Sequence, residues 1–137
     1  MRVVSFLAQY ATVDHGRLDV IHGAIDLVIP SAGMYVAGIV YVRSNETGHP
    51  HELRYELVNA EGMTIYSSDN RPIVMHFPFT VAPPYPIKAA EFQLPHAVCC
   101  PSVFLQPGSY EWRVSVDGQS HDDWNARFTV VSSLAAA

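Results

Sequence analysis

The chain of 137 residues and 15.1 kDa has room for one domain around one core. Hydrophobic residues make up 49% and charged residues 15%, a balance too apolar for disorder. The 8 basic residues against 13 acidic ones leave a net charge of −5, the wrong sign for a protein that lives on phosphate backbones, so nucleic acid is not an expected partner.

The first eight residues carry one basic side chain and a short apolar run, which Gln9, Tyr10 and Asp14 interrupt before a secretory leader develops; the segment reads as a strand. Residues 3–13 and 34–42 are apolar at both alternating sets of positions, which predicts central strands or a second face that something else covers. Residues 18–29 place Leu18 and Val20 on one face, then Ile25, Leu27 and Ile29 on the other. The parity switch at His22 and Gly23 predicts a bulge or bend. Leu53, Tyr55 and Leu57 alternate with Glu52, Arg54 and Glu56, and Tyr110, Trp112, Val114 and Val116 alternate with Glu111, Arg113, Ser115 and Asp117. Both patterns are those of half-buried antiparallel strands, with Trp112 in the core. Phe77, Phe79 and Val81 predict a third such strand, which Pro78, lacking a ladder donor, pushes to an edge or bulge.

Shorter strands are expected at residues 63–67, 88–94 and 126–131. Turn chemistry separates these segments, as at Asp14-His15-Gly16, Glu61-Gly62, Pro107-Gly108 and Asp117-Gly118, at spacings of roughly 8 to 12 residues. No window supports a long amphipathic helix. No stretch approaches the roughly 18 consecutive apolar residues of a membrane span, so a membrane is not an expected partner. The reading is all-β: a single antiparallel β-sandwich, immunoglobulin-like or jelly-roll-like, of roughly eight or nine strands over residues 1–131, with 132–137 a flexible tail.

Reactive residues are present without the company that catalysis requires. Cys99 and Cys100 are adjacent and cannot close a long loop, so two free thiols in a reducing cytoplasm are expected. His49-Pro50-His51 has a spacing that puts two imidazoles on one side of a strand, and His76, His96 and His121 enlarge the ligand inventory. No CxxC pair or HExxH helix accompanies them, so no metal or other cofactor is expected. His96 near Cys99, Cys100 and Pro101 offers a thiol and an imidazole, but no predicted helix terminus lowers the thiol pKa; buried or strand-end thiols are expected instead. Asp117, Asp122 and Asp123 gather on one loop without an EF-hand pattern, and Glu52, Glu56, Glu91 and Glu111 occupy outward strand positions that keep faces wet. Neither GxSxG nor a glycine-rich phosphate loop occurs. Pro83-Pro84-Tyr85-Pro86 reads as a bend between strands.

Two segments resemble a known pattern. Phe6-Leu7-Ala8-Gln9-Tyr10-Ala11, followed by Gly16-Arg17-Leu18-Asp19-Val20-Ile21, is similar to the "LADYA" and "GKLNVIG" motifs of a family of short bacterial proteins of unknown function. Pro107, Gly108, Tyr110, Trp112, Val114, Val116, Asp117 and Gly118 resemble its closing "PGxYxFxVxVDG". The chain departs from the pattern at Gln9, at His22 and in a longer loop over 119–125. The resemblance implies a β-sandwich and carries no activity, substrate or site residue.

The expected function is therefore a non-catalytic intracellular interaction or assembly module, with a protein partner or a second copy meeting the doubly apolar strands at Tyr35 and Tyr41. The alternative is a small-ligand or carbohydrate-binding sandwich in which Tyr85 or Trp124 offers a stacking face. A metal-dependent enzyme ranks third.

Overall fold

The two strictly alternating stretches are strands, and they pair with each other. The computed structural model describes residues 1–29, 33–83, 91–100 and 105–132. Among these the strands are β1 (Arg2–Asp14), β2 (Arg17–Gly23), β3 (Leu27–Val28), β4 (Met34–Arg43), β5 (His51–Asn59), β6 (Val74–Phe79), β7 (Glu91–Cys100), β8 (Gly108–Val116), β9 (Gln119–Ser120) and β10 (Ala126–Val130). Two short 3-10 turns, Ser44–Glu46 and Asp122–Trp124, complete the described elements. No helix among the described residues is long and apolar enough to cross a membrane.

Four strands form one sheet in the order β2-β1-β4-β7. The other runs β3-β10-β8-β5-β6, with the two-residue β9 paired to β8. The two layers make a β-sandwich. Every pairing is antiparallel except that of β3, which runs parallel to β10. Residues 18–29, expected as one bent strand, are two strands in different sheets. The break falls at the predicted parity switch, where His22 and Ala24 adopt φ values of 50° and 56° and turn the chain from one layer to the other. Residues 63–67 make only isolated bridges, Val58 with Thr64 and Tyr66 with Pro72, in place of the expected strand. The strand expected at 88–94 runs instead over Glu91–Cys100, and residues 88–90 lie outside the described ones.

The core lies between the sheets and follows from period 2. Val3 and Leu7 of β1, Met34, Val36, Val40 and Val42 of β4, Leu53, Tyr55 and Leu57 of β5, and Trp112, Val114 and Val116 of β8 all face inward. Pro78 lies on β6, which is an edge of its sheet, where a missing ladder donor costs nothing. Trp112 is 1% exposed and meets the Tyr55 ring edge-on at 6.4 Å. Trp112→Ala should therefore cost about 3 to 5 kcal/mol in urea unfolding. A variant that melts like the parent would show this strand to be out of register.

Candidate functional site

The four-stranded sheet has a second apolar surface on its outer side. Tyr35, Ala37, Ile39 and Tyr41 of β4 point away from the core because they alternate with its inward residues. Register aligns them in rows across the sheet: Val4 with Ile39 and Pro95, Phe6 with Ala37 and Ala97, and Ala8 with Tyr35 and Cys99. Phe6, Tyr35 and Ala97 pack with Ala8 and Ala37, which makes a thin second cluster on the outside of the sheet. Tyr10 meets Tyr35 edge-on at 5.1 Å. Above this layer Val4, Tyr10 and Ile21 remain 45%, 44% and 53% exposed. Charge lies at the two ends of the face: at one, Arg43 pairs in register with Glu91 and the Arg2 guanidinium lies 3.8 Å over the Tyr41 ring and 3.4 Å from the Glu91 carboxylate; at the other, Asp14, Arg17 and Asp19 end the β1–β2 pair. Both sequence-predicted interface residues, Tyr35 and Tyr41, are half-buried on this face. The Cys99 side chain beside Tyr35, together with partial burial, raises the Tyr35 phenol above its ordinary value.

The outer face of the other sheet has the opposite character. Arg54 pairs with Glu56 at 3.0 Å, His76 with Glu52 at 2.8 Å, and Glu111 with both Arg127 and Arg113 at 2.7 and 3.4 Å. A hollow of about 530 Å³ on this face is lined by Glu52, Arg54, Glu56, Arg113, Ser115 and Asp117, among others. The outward carboxylates are thus tied up in surface ion pairs.

Between the sheets lies a polar row that the sequence did not signal. Ser5, Gly38 and His96 are cross-strand neighbours on β1, β4 and β7. A methyl group on Gly38 would sit 2.1 Å from the Val4 carbonyl oxygen and 3.1 Å from the His96 ring, so only glycine fits there. The Tyr55 hydroxyl of the facing sheet hydrogen-bonds both Ser5 Oγ, at 2.7 Å, and His96 Nε2. Burial moves both titratable members toward their neutral forms: Tyr55 is pushed well above its ordinary value, while His96 is lowered to about 4 although the Leu94 carbonyl opposes the shift. His96 Nδ1 is buried without a hydrogen-bond partner among the described residues.

The remaining candidates are scattered. His49 is exposed, while His51 binds Asp117 and the Glu46 carbonyl, so the HxH pair does not converge. No group of three or more His, Cys, Asp or Glu among the described residues is placed to hold a metal. Cys99 faces outward and Cys100 inward, where its sulfur lies 3.4 Å from Met75 Sδ and burial pushes the thiol up to about 12. Trp124 corrects the stacking-face expectation. The Asp122–Trp124 turn keeps its acids in water and folds the indole into the core at 5% exposure, with the His121 ring 4.5 Å away. Tyr85, the other stacking candidate, lies outside the described residues.

Two expectations follow from these protonation states. Between pH 6.5 and about 4 the unfolded chain binds a proton at His96 that the folded chain refuses, so stability falls as pH drops through that window. The contribution is about 3 kcal/mol at most; acid titration of unfolding free energy should show it, and His96→Phe should flatten that limb relative to the parent. Alkylation without reductant should add one group to the native protein, at Cys99, and a second only in urea. Equal rates at both thiols would contradict the inward placement of Cys100.

No curated protein matches the chain. A family model, "Family of unknown function (DUF6941)", matches residues 3–130. The matched span runs from the first strand to the last and takes in both apolar layers and the polar row between the sheets; the chain belongs to this family of unknown function.

Proposed function

We propose that the protein is a non-catalytic assembly module that pairs with a second copy of itself through the outer face of the β2-β1-β4-β7 sheet. The observation that carries this reading is the uncharged apolar layer of Phe6, Tyr10, Tyr35 and Ile39, set against a polar face on the other side of the same domain whose arginines pair with its glutamates. Four strands by ten residues span about 20 Å by about 30 Å, or about 600 Å² in projection. Side chains roughen that projection toward the roughly 800 Å² per partner that a stable interface buries.

Charge favours a like partner. A two-fold axis lays a face on itself, and this one keeps its charges away from the apolar middle, with Arg2, Arg43 and Glu91 neighbouring each other at one end and Asp14, Arg17 and Asp19 gathered at the other. The charged sheets of both copies then point outward, separated by two apolar layers of about 10 Å each. That exceeds the Debye length of about 8 Å in physiological salt, so the net charge of −5 per copy does little to oppose pairing.

The non-catalytic half of the reading is supported by the states of the reactive groups. His96 is enclosed and neutral at physiological pH, and Cys100 is held as a thiol. Two unpaired cysteines support a reducing compartment, the cytoplasm.

Light scattering at micromolar concentration should give about twice the single-chain mass of 15.1 kDa. Tyr35→Glu should halve that mass while circular dichroism stays native, and Thr129→Glu on the opposite face should leave it unchanged. A single-chain mass for the parent protein would overturn the proposal.

A further inference from the structure

We infer that His51 is held as an imidazolium in the folded protein and acts as a pH-operated clamp on one end of the sandwich. Nδ1 lies 2.6 Å from Asp117 Oδ2 and Nε2 lies 2.7 Å from the Glu46 carbonyl oxygen. A carboxylate and a carbonyl only accept hydrogen bonds, and a neutral imidazole has one N–H to give. Both contacts stand together only when both nitrogens carry protons. Loss of either proton sets lone pair against lone pair, and one contact must open.

The surroundings favour the charged ring. From the turn after β8, Asp117 faces it directly. From the 3-10 turn, Glu46 presents its carbonyl while its carboxylate turns to the Met1 ammonium at 3.1 Å and the Arg43 amide at 2.9 Å. On β5 itself, Glu52 pairs with His76 of β6 and so leaves His51 to Asp117. From β6, Phe79 covers the ring at 5.4 Å and brings no charge. His49 is exposed two residues away. The His51 side chain is 11% exposed, and burial alone would expel the proton; the bonds to Asp117 and to the Glu46 carbonyl outweigh it and raise the pKa. Asp117, whose own burial works the other way, is correspondingly lowered by the His51 ring and the Glu52 amide.

The clamp joins the start of β5, the turn after β8 and the Ser44–Glu46 turn. Asp117 Oδ1 accepts the Glu52 amide at 2.9 Å, and the Asp117 amide returns a bond to the Glu52 carbonyl at 3.0 Å. Asp117 itself adopts a φ of 51°, a left-handed conformation that its bonds must hold in place. Release of His51 from Asp117 loosens this turn, and release from Glu46 loosens the Ser44–Glu46 turn. A histidine whose folded pKa is raised lends its full stability below its unfolded value of about 6.5 and loses it as pH rises through the folded value. The end of the sandwich is therefore closed in mild acid and opens toward alkaline pH.

Ring-nitrogen and ring-carbon NMR of the wild-type protein, titrated from pH 5 to 10, tests this directly. At pH 6.5 His51 should show both ring nitrogens protonated, with a midpoint above that of histidine in the same chain unfolded in urea. The exchange of the Glu52 and Asp117 amides, normalised to intrinsic rates, should rise through the same midpoint while that of β4 amides does not. Asp117→Asn should bring the midpoint down. A single-proton tautomer at pH 6.5, or a midpoint at or below the unfolded value, would overturn the inference, and so would amide protection that stays flat through the titration.

Discussion

A strand in a two-layer sandwich can bury one face against the other sheet, and β4 carries apolar side chains on both. That excess organises the molecule. Its even-numbered residues, Met34, Val36, Val40 and Val42, join the main core, while Tyr35, Ala37, Ile39 and Tyr41 begin a second layer on the outside. Hydrogen-bonded on both sides, to β1 and β7, β4 cannot rotate to hide its outer face. The neighbours respond with small residues in the middle of the sheet, Ala8, Ala37 and Ala97, roofed by Phe6 and Tyr35. This roof is only partial, and its upper surface is the one apolar solution the monomer leaves open among its described residues.

The inner side of the same strand is shaped by a different constraint. Gly38 interrupts the run of inward side chains, and its backbone approaches Val4 too closely for any Cβ. The gap over it is filled from the opposite sheet by Tyr55, whose ring packs against Trp112 and Phe77 and whose hydroxyl lies between Ser5 and His96. A hydroxyl that donates one bond and accepts another serves two strands at once, and so ties β1 and β7 of one sheet to β5 of the other. An apolar core slides at little cost, whereas a buried hydroxyl displaced from its partners loses about 1 to 3 kcal/mol. The row thus fixes the mutual position of the two sheets, and through it the outer rows that begin at the same register.

What the sequence made legible was set by period. Where one face is wet, as at Leu53 to Leu57 or Tyr110 to Val116, alternation gave both the strand and its inward residues. The double apolarity of residues 3–13 and 34–42 correctly marked central strands, since β1 and β4 both have partners on each side. Trp124 misled for a local reason: a lone tryptophan after two aspartates reads as exposed, but a 3-10 turn reverses direction within three residues and sends the indole inward. Residues 63–67 misled because alternation specifies a pleat and not a partner, and here the chain finds only single bridges. The bonds of Tyr55 to Ser5 and His96 and of His51 to Asp117 join residues 41 to 66 positions apart, so no spacing along the chain could announce them.

The edges bear on how such a molecule associates. A sandwich leaves its outermost strands with unpaired backbone groups, and these invite a further strand unless something blunts them. All four edges are blunted here. β7 carries Pro95 at its middle and β6 carries Pro78, each removing a donor from its ladder. β3 is two residues long, and β2 exposes Arg17, Asp19 and a left-handed His22. Edge-to-edge pairing is disfavoured at each of them by sterics, charge or length. The charged sheet face already satisfies its own groups in ion pairs and would have to desolvate them to be covered, which costs more than the pairs return. Among these surfaces the outer face of β1 and β4 is the apolar one, and the proposed pairing rests on it. The aromatic residues there, Phe6, Tyr10, Tyr35 and Tyr41, are the side chains that contribute most per contact when water is removed from both sides.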